Sequence, residues 1–236
     1  MTELLFRDNA YLTETKAQVV AIGDKNGIVL DRTVLYATGG GQPGDSGSLW
    51  RRGAPIPILT AMYSGDKRQV IHVPLEPQAV PEPGEELTAA IDWVRRHRHM
   101  RIHTALHLLS VVLPFPVTGG AIGSDEGRLD FDITGDVPAK DEIERRLNDL
   151  VQGDHPVSAE WITDDELAAN PGLVKTMKVK PPMGTGHVRL VRIGDIDVQP
   201  CGGTHVRSTA EIGPLGVTKI ESKGKQNRRV RIRFVE

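Results

Sequence analysis

Residues 92–133 read DWVRRHRHMRIHTALHLLSVVLPFPVTGGAIGSDEGRLDFDI, and the hydrophobic period changes inside this stretch. Met100, Ile102, Ala105, Leu106, Leu108, Leu109 and Val112 place several apolar side chains on every turn of a helix, which predicts a largely buried one. Pro114 ends it, because proline lacks the amide that continuation requires. From 127 to 133, Leu129, Phe131 and Ile133 alternate with Arg128, Asp130 and Asp132, the period of a strand with one wet face. Toward the C-terminus a second helix is predicted, with Pro138 near its first turn, Ile143, Leu147, Leu150 and Val151 at helical spacing, and Gly153 after its last turn. A short third helix starts at Thr163, where Glu166 completes a capping box, and stops at Asn170-Pro171. HVRLVRIGDIDVQP (187–200) and GVTKIESKGKQNRRVRIRFVE (216–236) are rich in β-branched residues, so both are predicted as strands. Gly224 to Asn227 are placed to turn a hairpin, with Val230, Ile232 and Phe234 on one face of its second strand and Arg229, Arg231 and Arg233 on the other.

Toward the N-terminus the pattern is different. AQVVAI (17–22), a turn at Lys25-Asn26-Gly27, IVLDRTVLYA (28–37), IPILTAMY (56–63) and QVIHVP (69–74) read as short strands broken by turns, the signature of a small β-barrel or sandwich. Four prolines between Pro74 and Gly84 deny donors to a sheet and predict a linker or crossing loop. The expectation is an α+β protein of two domains, residues 1–88 and 89–236.

Composition narrows the function classes. With 39% hydrophobic and 25% charged residues in 236, disordered and collagen-like chains are excluded. A single cysteine excludes a disulfide-stapled secreted scaffold and favours a reducing compartment. MTELLFRDNAYL lacks the basic start and apolar run of a signal peptide, and no run of about 18 apolar residues suggests a membrane span, so a cytoplasmic location without membrane contact is expected. The net charge of −2 is uneven: residues 223–236 hold six Lys or Arg against one Glu, a local +5 on a body of −7. That cluster fits either a polyanion footprint or a solvated face.

The residues best suited to chemistry are His103-Thr104-Ala105-Leu106-His107 and Cys201-Gly202-Gly203-Thr204-His205. Positions four apart on a helix share a face with Cβ atoms about 5–6 Å apart, so His103 and His107 can reach one ion. Together with Cys201 and His205 they make a thiolate and three imidazoles, a set suited to tetrahedral Zn(II). Each half alone reads more readily as buried, hydrogen-bonded histidines or a small buried thiol; jointly they favour zinc. Four protein ligands usually close a structural site, so catalysis asks for one weak or displaceable ligand, or a fifth. The helix lacks the Glu of HExxH, which disfavours metalloprotease chemistry. A second signal is Gly39-Gly40-Gly41-Gln42-Pro43-Gly44-Asp45, whose backbone can approach a ligand closely or form a tight barrel-corner turn. It matches neither phosphate-loop pattern.

DRTVLYATGGGQPGDSGSL, MRIHTALHLLS, GRLDFD, CGGTHVRSTAEIG and KGKQNRRVRIR, in this order, resemble the freestanding alanyl-tRNA editing proteins of the AlaX type, and are similar to the editing domain of alanyl-tRNA synthetase. The N-terminal segment with its glycine-rich loop resembles the longer subtype. The resemblance implies an N-terminal β-barrel followed by a two-layer α/β editing domain with an antiparallel sheet. It implies hydrolysis of Ser-tRNA(Ala), with Gly-tRNA(Ala) as a second substrate, and zinc held by His103, His107, Cys201 and His205. It places the glycine-rich loop on Gly39, Gly40, Gly41 and Gln42, and a sensor of the seryl hydroxyl on Thr33. Thr33 and Gln42 are therefore the candidates for polar recognition, with Thr104 and Thr204, each beside a ligand, as alternatives that can also simply cap and pack. Lys223, Lys225, Arg228 and Arg229 at the hairpin are candidates for tRNA phosphates, and Arg95, Arg96 and Arg98 form a second candidate patch. Alternating arginines also protect sheet edges from aggregation. Two other readings stay open: a non-catalytic tRNA-binding module with a structural zinc site, and a metal hydrolase of small esters or amides. The protein is expected to act as a monomer.

Overall fold

The computed structural model describes residues 1–76, 81–175, 186–224 and 226–235. The chain forms two compact units, Met1–His97 and Arg98–Glu236. In the first, a short strand β1 (Glu3–Leu4) is followed by β2 (Glu14–Ile22), β3 (Ile28–Leu30), β4 (Arg32–Thr33), β5 (Gly47–Arg51), β6 (Ala54–Tyr63), β7 (Val70–Pro74) and β8 (Glu86–Ile91). Six of them close a barrel in the order β2-β3-β7-β6-β5-β8, and β1 pairs in parallel with β4. Alternate residues point inward, so Ala17 and Val19 of β2, Ile56 and Ile58 of β6 and Leu87 and Ala89 of β8 share one core. Register shifts at Val19/Ala21 and Ile58/Thr60 supply the extra twist that closure needs.

The strand expected over 28–37 is interrupted. Asp31 Oδ1 accepts from the amides of both Gln18 and Arg32, which turns the chain after Leu30. Val34, Leu35 and Ala37 then enter the core from irregular backbone. The turn expected at residues 25–27 is a single 3-10 turn, Asp24–Asn26. The boundary expected near residue 88 falls inside β8, whose pairing with both β2 and β5 holds that segment in the barrel.

Helix α1 (Trp93–Val112) follows, and the division between the units falls within it. The second unit continues with β9 (Val117–Ile122), β10 (Glu126–Asp132), α2 (Lys140–Gln152), β11 (Val157–Thr163), α3 (Asp164–Ala169), β12 (His187–Ile193), β13 (Asp197–Pro200), β14 (Leu215–Ser222) and β15 (Asn227–Phe234). Its strands form two antiparallel sheets, β14-β15-β10-β9 and β11-β12-β13. Pro138 lies just before the N-cap of α2 at Ala139, one step earlier than expected. The capping box at Thr163 and Glu166 is formed in full. The β14–β15 hairpin turns where expected, with the Lys223 amide donating to the Asn227 carbonyl at 2.8 Å, and Val230, Ile232 and Phe234 are buried. Among the described residues no helix is long and apolar enough to cross a membrane.

Candidate metal centre

In the second unit the two histidine-bearing segments meet. One donor atom from each of His103, His107, Cys201 and His205 lies within 4.8 Å of the others. His103 and His107 project from the same face of α1, as their spacing requires. Cys201 and His205 flank the turn that leaves β13, and β12 pins that turn. The Cys201 amide donates to the Arg189 carbonyl at 3.0 Å, while Arg189 Nη1 donates to the carbonyls of Cys201 (2.9 Å) and Gly203 (3.0 Å). Cys201 Sγ is then 3.4 Å from His103 Nε2 and 3.2 Å from His205 Nε2, and the Gly203 amide points at the sulfur from 3.4 Å.

A cation asks such a set for a thiolate and neutral imidazoles; Cys201 and His205 are set up that way and His107 is not. Burial pushes the Cys201 thiol up, but the charge and hydrogen bonding of the neighbouring imidazoles outweigh it, and the thiol is held well below its ordinary range. Burial, joined by the charge of His103, drives His205 well below the usual imidazole range. For His107, burial acts downward, yet polar contact with Asp197 and Cys201 raises it to about 9. A metal at this nitrogen set competes with that proton, so occupancy weakens as pH falls.

Thr104 is an orienting residue. Its hydroxyl donates to the Met100 carbonyl at 3.0 Å, so at 3.1 Å from His205 Nδ1 it can only accept. That contact puts the ring proton on Nδ1 and leaves Nε2 as the lone pair facing the sulfur. Thr104 and Thr204 are both fully buried, as Thr33 is in the first unit, so none of the three presents its hydroxyl at the surface.

Thr33, Gln42 and the glycines belong to the first unit. Thr33 is fully buried. His72 Nδ1 faces the Ile28 carbonyl at 2.9 Å and must carry its proton there, so His72 Nε2 accepts from the Thr33 hydroxyl at 2.8 Å. Thr33 Oγ1 also accepts from the Leu35 amide. Gly39 and Gln42 exchange backbone hydrogen bonds at 3.1 and 2.9 Å around Gly40 (φ 57°) and Gly41 (φ 82°). This is a two-residue hairpin turn with positive φ at both central positions, a conformation glycine adopts without strain. It engages the Gly39 and Gln42 amides and leaves Gly40 and Gly41 at an exposed tip. Gly44 is needed for space, since a Cβ there would meet the Ala61 carbonyl oxygen at 2.0 Å.

Burial holds His72 at a pKa of about 4. The folded state therefore takes up this proton less readily than the unfolded chain, whose histidines titrate near 6.5. Its share of stability is complete above about pH 6.5 and is lost progressively as pH falls toward 4, about 3 kcal/mol in all. Denaturant unfolding at pH 7 and pH 4.5 should show a smaller loss for His72→Gln than for the unsubstituted chain; equal losses would contradict this assignment.

The cations divide unequally. Lys223 is exposed, and Arg228 curls onto Ser222 Oγ and the Gly224 carbonyl at the hairpin tip. Lys225 lies outside the described residues. Arg229 forms a two-pronged pair with Asp130 (2.7 and 2.8 Å), its partner across the strands, so its charge is already matched. In the second patch Arg96 is corrected outright. It is fully buried against Asp45 and cannot meet a phosphate. Arg98 pairs with Asp125, and Arg95 donates to the Gly44 carbonyl. Sequence reasoning missed Arg189 and Asp197: one reads as an ordinary strand cation, and the other sits in GDIDVQP like a turn carboxylate.

Residues 188–231 match the family described as the threonyl and alanyl tRNA synthetase second additional domain, and residues 7–95 match the class II (A) tRNA synthetases. Alanyl-tRNA editing protein AlaX-M of Methanosarcina acetivorans is 35% identical over 240 residues, covering 98% of both chains. The AlaX-M protein of Saccharolobus solfataricus is 31% identical, again over 98% of both. Alanine–tRNA ligase of Pyrobaculum calidifontis is 36% identical over 93% of this chain, which corresponds to 25% of the ligase.

Proposed function

The chain belongs to the alanyl-tRNA editing proteins, and from that premise we propose that it is a zinc-dependent hydrolase that deacylates Ser-tRNA(Ala), and secondarily Gly-tRNA(Ala), in trans. The observation that carries this reading is the convergence of one thiol and three imidazoles from distant segments. The donor set fits zinc: sulfur and nitrogen only, with burial and mutual charge favouring the thiolate and a neutral His205. When bound, zinc supplies Lewis-acid polarisation or acidification of a water.

The chain's own groups do the rest. An aminoacyl ester is already activated, so the demand on the protein is placement and discrimination. Thr33 is assigned to the seryl hydroxyl although it is fully buried, as Thr104 and Thr204 are; with its proton committed to His72, it reads a hydroxyl that reaches it by accepting from it, and alanine offers nothing to accept. A site built to hydrogen-bond a hydroxyl rejects the analogue lacking it by roughly 10⁴. Gly40 and Gly41 at the exposed turn, with the buried Gln42 that follows them, are assigned to holding the aminoacyl end. Lys223 and Arg228 are assigned to phosphates of the acceptor stem, contributing affinity without sequence readout. The protein acts as a cytoplasmic monomer in this reading.

A set of four protein donors also favours a second reading, in which the metal only holds the fold and the protein binds tRNA without turnover. Incubation with Ser-, Gly- and Ala-tRNA(Ala) separates the two. Hydrolysis of the seryl ester with survival of the alanyl ester is expected. Binding without turnover supports the second reading, and hydrolysis of free seryl esters as fast as of seryl-tRNA would move the assignment to small-ester hydrolysis.

A further inference from the structure

We propose that Asp197 is a positioning residue for the metal centre, fixing the tautomer and orientation of His107; this rests on reading the cluster as a metal site. Two periodicities bring the groups together. Asp197, Gln199 and Cys201 are two apart along β13 and its extension, so they share one face of the strand. His103, His107 and Ser110 are four and three apart on α1, so they share one face of the helix. The two faces touch. Gln199 Nε2 donates to Asp197 Oδ2 at 2.6 Å and reaches Ser110 Oγ at 3.4 Å, and Ser110 donates to the His107 carbonyl at 2.7 Å. Asp197 Oδ2 lies 3.3 Å from His107 Nδ1.

A carboxylate only 1% exposed is costly unless it is paired and hydrogen-bonded. Asp197 is held on both oxygens: Lys175 pairs with Oδ1, and Gln199 and His107 face Oδ2. His107 Nδ1 is buried without a formed hydrogen bond, and the Asp197 carboxylate 3.3 Å away is the acceptor that a proton on Nδ1 meets, which leaves Nε2 for the cluster. His205 is treated the same way by Thr104, a neutral acceptor. Asp197 therefore does with charge for one ligand what Thr104 does with a hydroxyl for another. An anion behind a ligating imidazole also raises its basicity, and loss of such a partner typically weakens metal binding by 10–100-fold.

The test uses the full chain stripped of metal and titrated with Zn(II) against a chromophoric chelator, comparing the unsubstituted protein, Asp197→Asn, Asp197→Ala, and Glu160→Gln as a charge-matched control from the exposed Glu160–Arg192 pair. Roughly 10–100-fold weaker binding is expected for both Asp197 variants, with Glu160→Gln unchanged. Tight binding by the unsubstituted protein with equal affinity in the Asp197 variants overturns this inference alone. An unsubstituted protein that binds no metal overturns the reading of the centre itself. Should the variants fail to fold, nitrogen-15 spectra of the metal-loaded unsubstituted protein decide. The proton of His107 is expected on Nδ1 with Nε2 coordinated, and coordination through Nδ1 overturns the proposal.

Discussion

Cys201→Ser is expected to abolish the proposed deacylation of Ser-tRNA(Ala) and to leave the purified protein without metal. Cys201 is the only thiol in the sequence, so no neighbouring sulfur can take its place. A serine hydroxyl at that position keeps the size and the hydrogen bonds but stays protonated, whereas a metal asks for the deprotonated donor. The remaining three imidazoles cannot balance a divalent charge in a buried site. His103 and His107 are each 7% exposed and His205 is 6% exposed, so solvent does little to compensate. Metal analysis and single-turnover deacylation on one preparation check the prediction, with circular dichroism to confirm that the fold persists. Full turnover by a metal-free Cys201→Ser protein would falsify the role given to this residue.

Arg96→Met lowers stability by about 3–5 kcal/mol, the cost of leaving a buried carboxylate without its cation. Arg96 and Asp45 have side-chain exposures of 0% and 1%. Asp45 Oδ2 collects the Arg96 guanidinium and the Tyr36 amide, while Arg96 also donates to the carbonyls of Val34 (2.6 Å) and Ala10 (2.9 Å). The pair thus ties the start of α1 to both ends of the glycine-rich loop, and its removal should loosen that loop as well as the fold. Asp45→Leu in the same chain should recover part of the loss, because the orphaned charge is then gone. Denaturant unfolding of the single and double variants measures this. A loss under about 1 kcal/mol for Arg96→Met, the range of surface pairs, contradicts it.

Much of the architecture was legible because it rests on local periodicity. The apolar turns from Met100 to Val112, the alternation through Leu129, Phe131 and Ile133, and the capping box at Thr163 and Glu166 each carry their own structural instruction. The cluster that could hold a metal was legible for a related reason: a pair at i, i+4 and a solitary thiol are recognisable without knowing how the chain folds. What was not legible depends on long-range partners. Arg96 looks like a surface cation until Asp45 arrives beside it from 51 residues away. Arg229 looks free until the strand register sets it opposite Asp130. Thr104, beside a candidate ligand, reads from sequence either as a substrate contact or as a packing residue; only the helix geometry shows its proton committed to the carbonyl four residues back. The break at Asp31 is hidden because Asp31, Arg32 and Thr33 are short polar punctuation in an otherwise β-rich run, IVLDRTVLYA, and only the bonds that Asp31 Oδ1 accepts from Gln18 and Arg32 show where the strand ends.

The proposed editing depends on a metal held by the cluster of Cys201, His103, His107 and His205. The most direct measurement is a titration of metal-stripped protein with Zn(II), following Ser-tRNA(Ala) hydrolysis and bound metal on the same samples. The account predicts that hydrolysis rises in proportion to occupancy and stops rising at one equivalent, with Ala-tRNA(Ala) intact throughout. Undiminished hydrolysis before any metal is added would contradict it.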